Sequence, residues 1–382
     1  DSRLRGNDVK ATFLWCCLKN FQECVTSVHN YKDRRNEMRF IVKLYPQTIL
    51  SENYSGNFDF LFEQIKMAGI SGVIVPVFQG SRLLFETPGQ NDSAAGHNFL
   101  LLQEKAQEHG VGFIPEFPVF HDPDTYQALE QYRPVNLERR VGFDSDWYAP
   151  ICPSNEHYRN YRLGLIKDAL RLFEPAIFSL DFLHYPYLAT ASQHVSPSSV
   201  PDFCHCDFCQ YQFAAFSGRE NPMQDMESWY RFRAENLTIV PVLLSEDLER
   251  RGEKSSIMVQ VPPVAFDSSV EALRRLTGQD LQQWRNIVDV VSPHMYLNQT
   301  GFGPDWALNN LAEIINATEM QVTPEIDLPQ DATEFTELLV LHDFLDELQD
   351  GGVKAVSIFH WGAIEENPDI MEVLAEFSGE DE

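Results

Sequence analysis

The sequence predicts a single (β/α)8 TIM barrel with extended loops after strands three and four. Three observations carry that expectation: eight short apolar runs, amphipathic stretches alternating with them, and glycines where helices stop. A chain of 382 residues accommodates one such barrel with insertions. The strand candidates are 40–44, 72–77, 111–116, 176–181, 256–261, 288–291, 321–325 and 353–359. Several are continuous apolar runs, as parallel strands covered on both faces require. Between the first two, Phe58, Leu61, Phe62 and Ile65 keep helical spacing. Gly69, Gly110 and Gly351 each end a helical pattern ahead of a strand, where a left-handed cap suits glycine. Asp331 with Glu334 reads as a capping box opening the seventh helix.

Residues 38–382 show no linker, low-complexity block or composition shift, and read as one domain. Residues 1–37 differ, with mixed charge and one short apolar run, 11–18, that includes Cys16 and Cys17. No small-residue cleavage site follows that run, so it makes a poor secretion signal and a cytoplasmic location is the expectation. Met38 stands directly before the first strand, and residues 1–37 are expected to be an extension outside the fold.

Hydrophobic residues at 43% and aromatics at 12% supply a large core with rings left for a cleft. The formal net charge of −28 argues against nucleic acid, whose phosphates need clustered Lys and Arg. The plain reading of that charge is a self-repelling surface. No run approaches the roughly 20 apolar residues of a membrane span, so an integral membrane segment is not expected. Oligomeric state is left open.

Two stretches, 122–155 and 188–224, exceed a minimal βα loop and extend the C-terminal barrel face, where sites in this fold are built. Three carboxylates fall at predicted strand ends on that face: Glu116 on the third, Asp181 on the fourth and Glu325 on the seventh, within QVTPEIDLP. Pro324 blurs the last boundary and lets Asp327 exchange roles with Glu325. Each also has a structural use, as a helix cap or the partner of a basic group. Cys204, Cys206 and Cys209 form a Cys-x-Cys-x2-Cys run, and Cys152 can supply a fourth thiol. Four soft ligands suit a closed, structural zinc site; reduced buried thiols are the alternative. No organic cofactor is expected.

The segments CPSNEHYRNYRLGLIKDALRLFEPAIFSLDFLHYP (152–186), PDFCHCDFCQYQFAAFSG (201–218) and TGQDLQQWRNIVDVVSPHMYLN (277–298) resemble a group of glycoside-hydrolase TIM barrels with a cysteine segment after strand four. The likeness runs through nearly all of 38–382. His184 departs from it, standing where the related pattern has Arg, and the Asn-Glu pair of one large glycosidase clan is missing from the fourth strand.

The resemblance implies a carbohydrate substrate or ligand. Trp147, His184, Tyr185, His294, Tyr296, Asn298, His360 and Trp361 are the candidate contacts, since sugars stack on rings and need fixed polar partners. Hydrolysis of an O-glycosidic bond in an oligo- or polysaccharide ordinarily needs two carboxyl groups. Asp181 is the expected nucleophile or charge stabiliser, Glu325 the expected acid/base, and Glu116 the third candidate. The alternatives are a non-catalytic carbohydrate-binding barrel, and a metal-dependent hydrolase on His184, His294, His360 and Asp181.

Overall fold

The computed structural model describes residues 37–80, 82–83, 93–188, 200, 202–264, 269–328 and 335–379. The expected extension, apart from Glu37, and the capping box at Asp331 and Glu334 lie outside them. The strands are β1 (Arg39–Lys43), β2 (Ile70–Pro76), β3 (Gly112–Pro118), β4 (Ile177–Asp181), β5 (Ser256–Val261), β6 (Val290–Met295), β7 (Gln321–Val322 with Glu325–Ile326) and β8 (Ala355–Ile358). All pair in parallel, in sequence order, and β8 on β1 closes the barrel.

Seven of the connections carry helices of nine residues or more: α1 (Phe58–Met67), α2 (Ser93–Glu108), α3 (Glu156–Phe173), α4 (Met226–Arg251), α5 (Ser269–Thr277), α6 (Pro304–Thr318) and α7 (Phe335–Asp350). A last helix, α8 (Pro368–Ser378), follows β8. Phe58, Leu61, Phe62 and Ile65 form the buried stripe of α1. Asn155 and Asp225 cap α3 and α4 by accepting from the third backbone N–H beyond. No helix among the described residues is long and apolar enough to cross a membrane.

Three details depart from the sequence expectations. Strand six was expected to stop at 291, yet β6 runs on through Pro293, which lies opposite Val261 in β5. Strand seven is broken into two short pieces because Pro324 has no N–H to give. Its carbonyl accepts from Ser357 N at 2.8 Å, and Thr323 N reaches Val291 O at 2.9 Å, so the chain stays within the wall. The glycine after α7 in left-handed conformation is Gly352, at φ +85°, and not Gly351.

Gly69 and Gly110 do take left-handed conformations, with φ +68° and +71°. Their surroundings differ. A Cβ on Gly69 would lie 2.5 Å from Ser378 Oγ in α8, whereas one on Gly110 meets nothing within 4 Å. Gly110→Ala is therefore expected to lose about 1 kcal/mol, the left-handed penalty alone. Gly69→Ala should lose distinctly more in the same urea titration; equal losses would show that Ser378 simply moves aside.

Candidate active site

Side chains along a strand alternate in direction, so residues two apart share one face. Ile74, Ile114, Met258 and Val290, joined by Ile41 and Ile177, pack together as the lower apolar layer inside the barrel. Two residues further towards the C-terminal face, the same positions become Lys43, Pro76, Glu116, Ser179, Gln260 and Ser292, all polar but the proline. One step beyond come Asp181 and His294. The barrel interior thus changes from apolar to ionic within one pleat.

Lys43 is the centre of the upper layer and is 2% exposed. Its Nζ lies 3.2 Å from Glu116 Oε1, 3.5 Å from Glu325 Oε2 and 3.7 Å from Asp181 Oδ2. The Asp181 and Glu325 oxygens are consequently within about 7 Å of one another, the sum of two of those distances. Burial opposes the Lys43 charge, but Glu116 and Glu325 outweigh it, holding the ammonium well above the usual lysine range. One ammonium cannot neutralise three carboxylates. Burial pushes the Glu116 carboxyl up to about 8 against the pull of Lys43, with Asp181 and Glu325 adding to the rise.

Hydrogen bonds lock this layer around the barrel. Glu116 Oε2 accepts from Ser179 Oγ at 3.2 Å and Gln260 Nε2 at 3.4 Å, and Gln260 Nε2 also reaches Ser179 Oγ at 2.9 Å. Gln260 Oε1 is 3.2 Å from His294 Nε2. Glu325 accepts from Tyr296 OH and, at 3.3 Å, from Ser357 Oγ. Asp181 is held more lightly, taking Phe182 N at 2.7 Å on its other oxygen. It remains 8% exposed, while Glu325 is fully buried. Burial pushes His294 down to about 3 and His121 to about 4, so both rings are neutral near pH 7.

Rings surround the mouth on two sides. Beside Asp181, His121 stacks on Phe182 at 4.8 Å between centroids, and Phe182 on Tyr148 at 5.4 Å. Trp147 lies 5.6 Å from Tyr148 and is 58% exposed. Phe182 takes a left-handed φ of 51°, a strained conformation that turns its ring into this stack. Beside Glu325, His294 stacks on Tyr296 at 4.7 Å, and Phe359 packs against Tyr296, Tyr45 and His360.

The sequence candidates therefore divide. Asp181, Glu325 and Glu116 meet at Lys43, with His294 and Tyr296 beside them and Trp147 and His184 in or near the ring cluster. Tyr185 points elsewhere: its OH joins Ser154 Oγ at 2.9 Å, and Arg233 covers its ring at 4.5 Å. Trp361 is buried with its indole N–H on Tyr54 OH. His360 caps the helix Trp361–Glu365 through Ala363 N. Asn298 is tied to Asp327, whose carboxylate accepts the N–H groups of Asn298 and Gln299, so Asp327 does not replace Glu325. Lys43, Gln260, Ser179 and Ser357 escaped sequence inspection. Their signal was a polar residue at an inward position of an apolar strand.

The expected alternative of a metal held by His184, His294, His360 and Asp181 is not built. His184 Nδ1 faces Tyr185 O, His294 faces Gln260, and the Lys43 ammonium occupies the centre. Among the described residues, the ligands close enough to share an ion are those of Cys152, Cys204, Cys206 and Cys209, all buried and within 4.8 Å of one another. Cys152 Sγ lies 3.4 Å from Cys206 Sγ and 3.5 Å from Cys209 Sγ. Sulfurs bonded to one tetrahedral zinc lie about 3.8 Å apart, so the donor set fits that ion. Val135 N also donates to Cys204 Sγ at 3.3 Å. The cluster joins the loop after β3 to the loop after β4, the two that carry the rings beside Asp181.

No protein-family model matches the chain, and no curated protein does. Solved structures do match it. The PgaB (BpsB) glycoside hydrolase domain from Bordetella bronchiseptica superposes with a TM-score of 0.66 at 12% identity, covering 90% of this chain and 100% of that one. A beta-galactosidase from Bacillus circulans sp. alkalophilus gives 0.59 at 13% identity, over 90% of this chain and 55% of that one. An endo-beta-1,4-mannanase from Thermotoga petrophila gives 0.54 at 12% identity, over 91% and 78%. The chain thus spans about half the length of the galactosidase. At such identities the likeness is one of fold: a closed (β/α)8 barrel, which these glycoside hydrolases also have.

The Glu116 environment has a measurable consequence. A carboxyl raised from 4.5 to about 8 on folding keeps its proton better in the folded state. Its contribution to stability is complete below its unfolded pKa and is lost as pH rises towards 8. Wild type should lose Tm between about pH 5 and 8, and Glu116→Gln, which cannot ionise, should flatten that slope. An unchanged slope in the variant would place the pH dependence on other groups.

Proposed function

We propose that the chain is a glycoside hydrolase that cleaves O-glycosidic bonds in an oligo- or polysaccharide, with Asp181 and Glu325 as its paired carboxyls. The observation that carries this reading is their convergence on Lys43, within about 7 Å, at the C-terminal mouth and between two groups of rings. That upper limit includes the separation of a retaining pair and the low end of the inverting range.

The surroundings favour an assignment opposite to the one expected from sequence. Tyr296, Ser357 and Lys43 all direct donors at Glu325. Such surroundings suit a group that works as an anion, attacking the anomeric carbon or balancing charge as the C–O bond breaks. Asp181 is the more accessible and has fewer partners. It is the group we assign to protonating the departing oxygen and then taking a proton from water. Trp147 and the half-buried Phe182 offer faces on which sugar rings stack. A second reading, a barrel that binds glycan without cleaving it, draws on the full burial of Glu325.

A panel of aryl glycosides and oligosaccharides, with products followed by NMR, tests the reaction and its anomeric outcome. Asp181→Asn and Glu325→Gln should each keep the fold and lower turnover by orders of magnitude. Near-normal turnover in either would remove that residue from the chemistry. Glycan binding without cleavage by wild type would favour the second reading.

We further propose that Cys152, Cys204, Cys206 and Cys209 hold one structural zinc with no open position, pinning the two long loops together. Native mass spectrometry should find one zinc per chain, and chelation should lower Tm by about 5 °C or more. A metal-free protein of full stability would leave the cluster as four reduced thiols.

A further inference from the structure

The proposed pair of carboxyls comes from strands on different sides of the barrel, β4 and β7. What they share is Lys43, which reaches in from β1. Its shortest ion pair, at 3.2 Å, is with Glu116, and that carboxyl is itself fixed by Ser179 and Gln260. Glu116 is 1% exposed with both oxygens engaged, a position suited to anchoring rather than reaction.

We infer that Lys43 is a positioning residue, anchored by Glu116, whose ammonium sets the separation of Asp181 and Glu325 and supplies the positive charge against which both work. The inference rests on the glycosidase reading for its catalytic part. Two buried carboxyls without that charge repel each other and turn to other partners. The further groups around Lys43 are Tyr45 on its own segment, and His294, Tyr296 and Ser357 about Glu325, none of them a cation at neutral pH. The positive charge therefore comes from Lys43. Removing it favours protonation of the mouth as a whole, so a reaction that needs an anion there fails at a higher pH than in wild type.

Lys43→Met alone leaves three buried acids facing one another and can misfold. Lys43→Met/Glu116→Gln also takes away the buried acid nearest the missing ammonium, with a neutral side chain of the same shape, and serves as the folded companion. We expect that double variant to melt cooperatively and to lose turnover at least 100-fold, with KM changed by less than about threefold. Its acid limb of kcat/KM should lie about 1 pH unit or more above that of wild type. Lys43→Arg, which keeps the charge at an altered reach, should return the acid limb to its wild-type place while turnover stays low. A folded double variant with wild-type turnover and pH profile would overturn the inference. A further measurement needs no substrate: 13C NMR titration of Glu116 in wild type and in Lys43→Arg/Met variants that fold. The Glu116 midpoint should rise when the charge is lost and stay near wild type in the arginine variant; no difference would refute the charge role. If wild type cleaves no glycoside but this titration behaves as stated, the glycosidase reading fails while Lys43 remains the charge that organises the site.

Discussion

A buried ammonium is tolerated only when carboxylates and hydrogen bonds replace the water it has lost. Lys43 meets that condition with Glu116, Asp181 and Glu325, drawn from three strands, while Ser179, Gln260, Tyr296 and Ser357 occupy the oxygens that remain. Seven of the eight strands contribute to this one layer. Barrel closure and the ionic layer are therefore interdependent: the strand register places the groups, and unpaired charge would resist any other register. Below it, the apolar layer of Ile74, Ile114, Met258 and Val290 keeps water from reaching the ions from the opposite end.

The site also depends on the loops above it. Trp147, Tyr148 and His121 belong to the stretch after β3, and Phe182 and His184 to the one after β4. Both stretches meet at the cysteine cluster, through Cys152 on one side and Cys204, Cys206 and Cys209 on the other. Ser154 carries the connection inward, accepting or donating among Cys209, Tyr185 and Asn236. Tyr185, which read in the sequence as a sugar contact, is thus part of the wall that supports the rim. A strand-end aromatic announces its ring, but which way that ring turns depends on the neighbour it finds.

Strand seven illustrates how a weak local signal is overruled. Pro324 interrupts the run that contains Glu325, and on local grounds Asp327 could exchange roles with it. Glu325 pairs in register with His294 of β6 and Ser357 of β8, which aims its carboxylate inward. Asp327 instead meets the N–H groups of Asn298 and Gln299 at the start of a short helix. The two acids differ by two residues in sequence and by their whole environment in space.

The amino-acid sequence by itself determined the repeated βα order, the barrel, the lengthened third and fourth loops, and the three acids at strand ends. These follow from periodicity and burial, which are properties of short segments. It also brought the four cysteines under suspicion through spacing. Only the tertiary structure decided that Lys43 joins those acids, that Gln260, Ser179 and Ser357 hold them, and that Tyr185, Asn298, His360 and Trp361 bond to neighbouring groups of the scaffold. Lys43 and Glu116 lie 73 residues apart on β1 and β3, either side of β2, and the curved wall of the barrel turns both side chains into the interior, where they meet. A lone lysine in RFIVKLYP is an anomaly in a sequence; inside a closed barrel it is the charge that three carboxylates require.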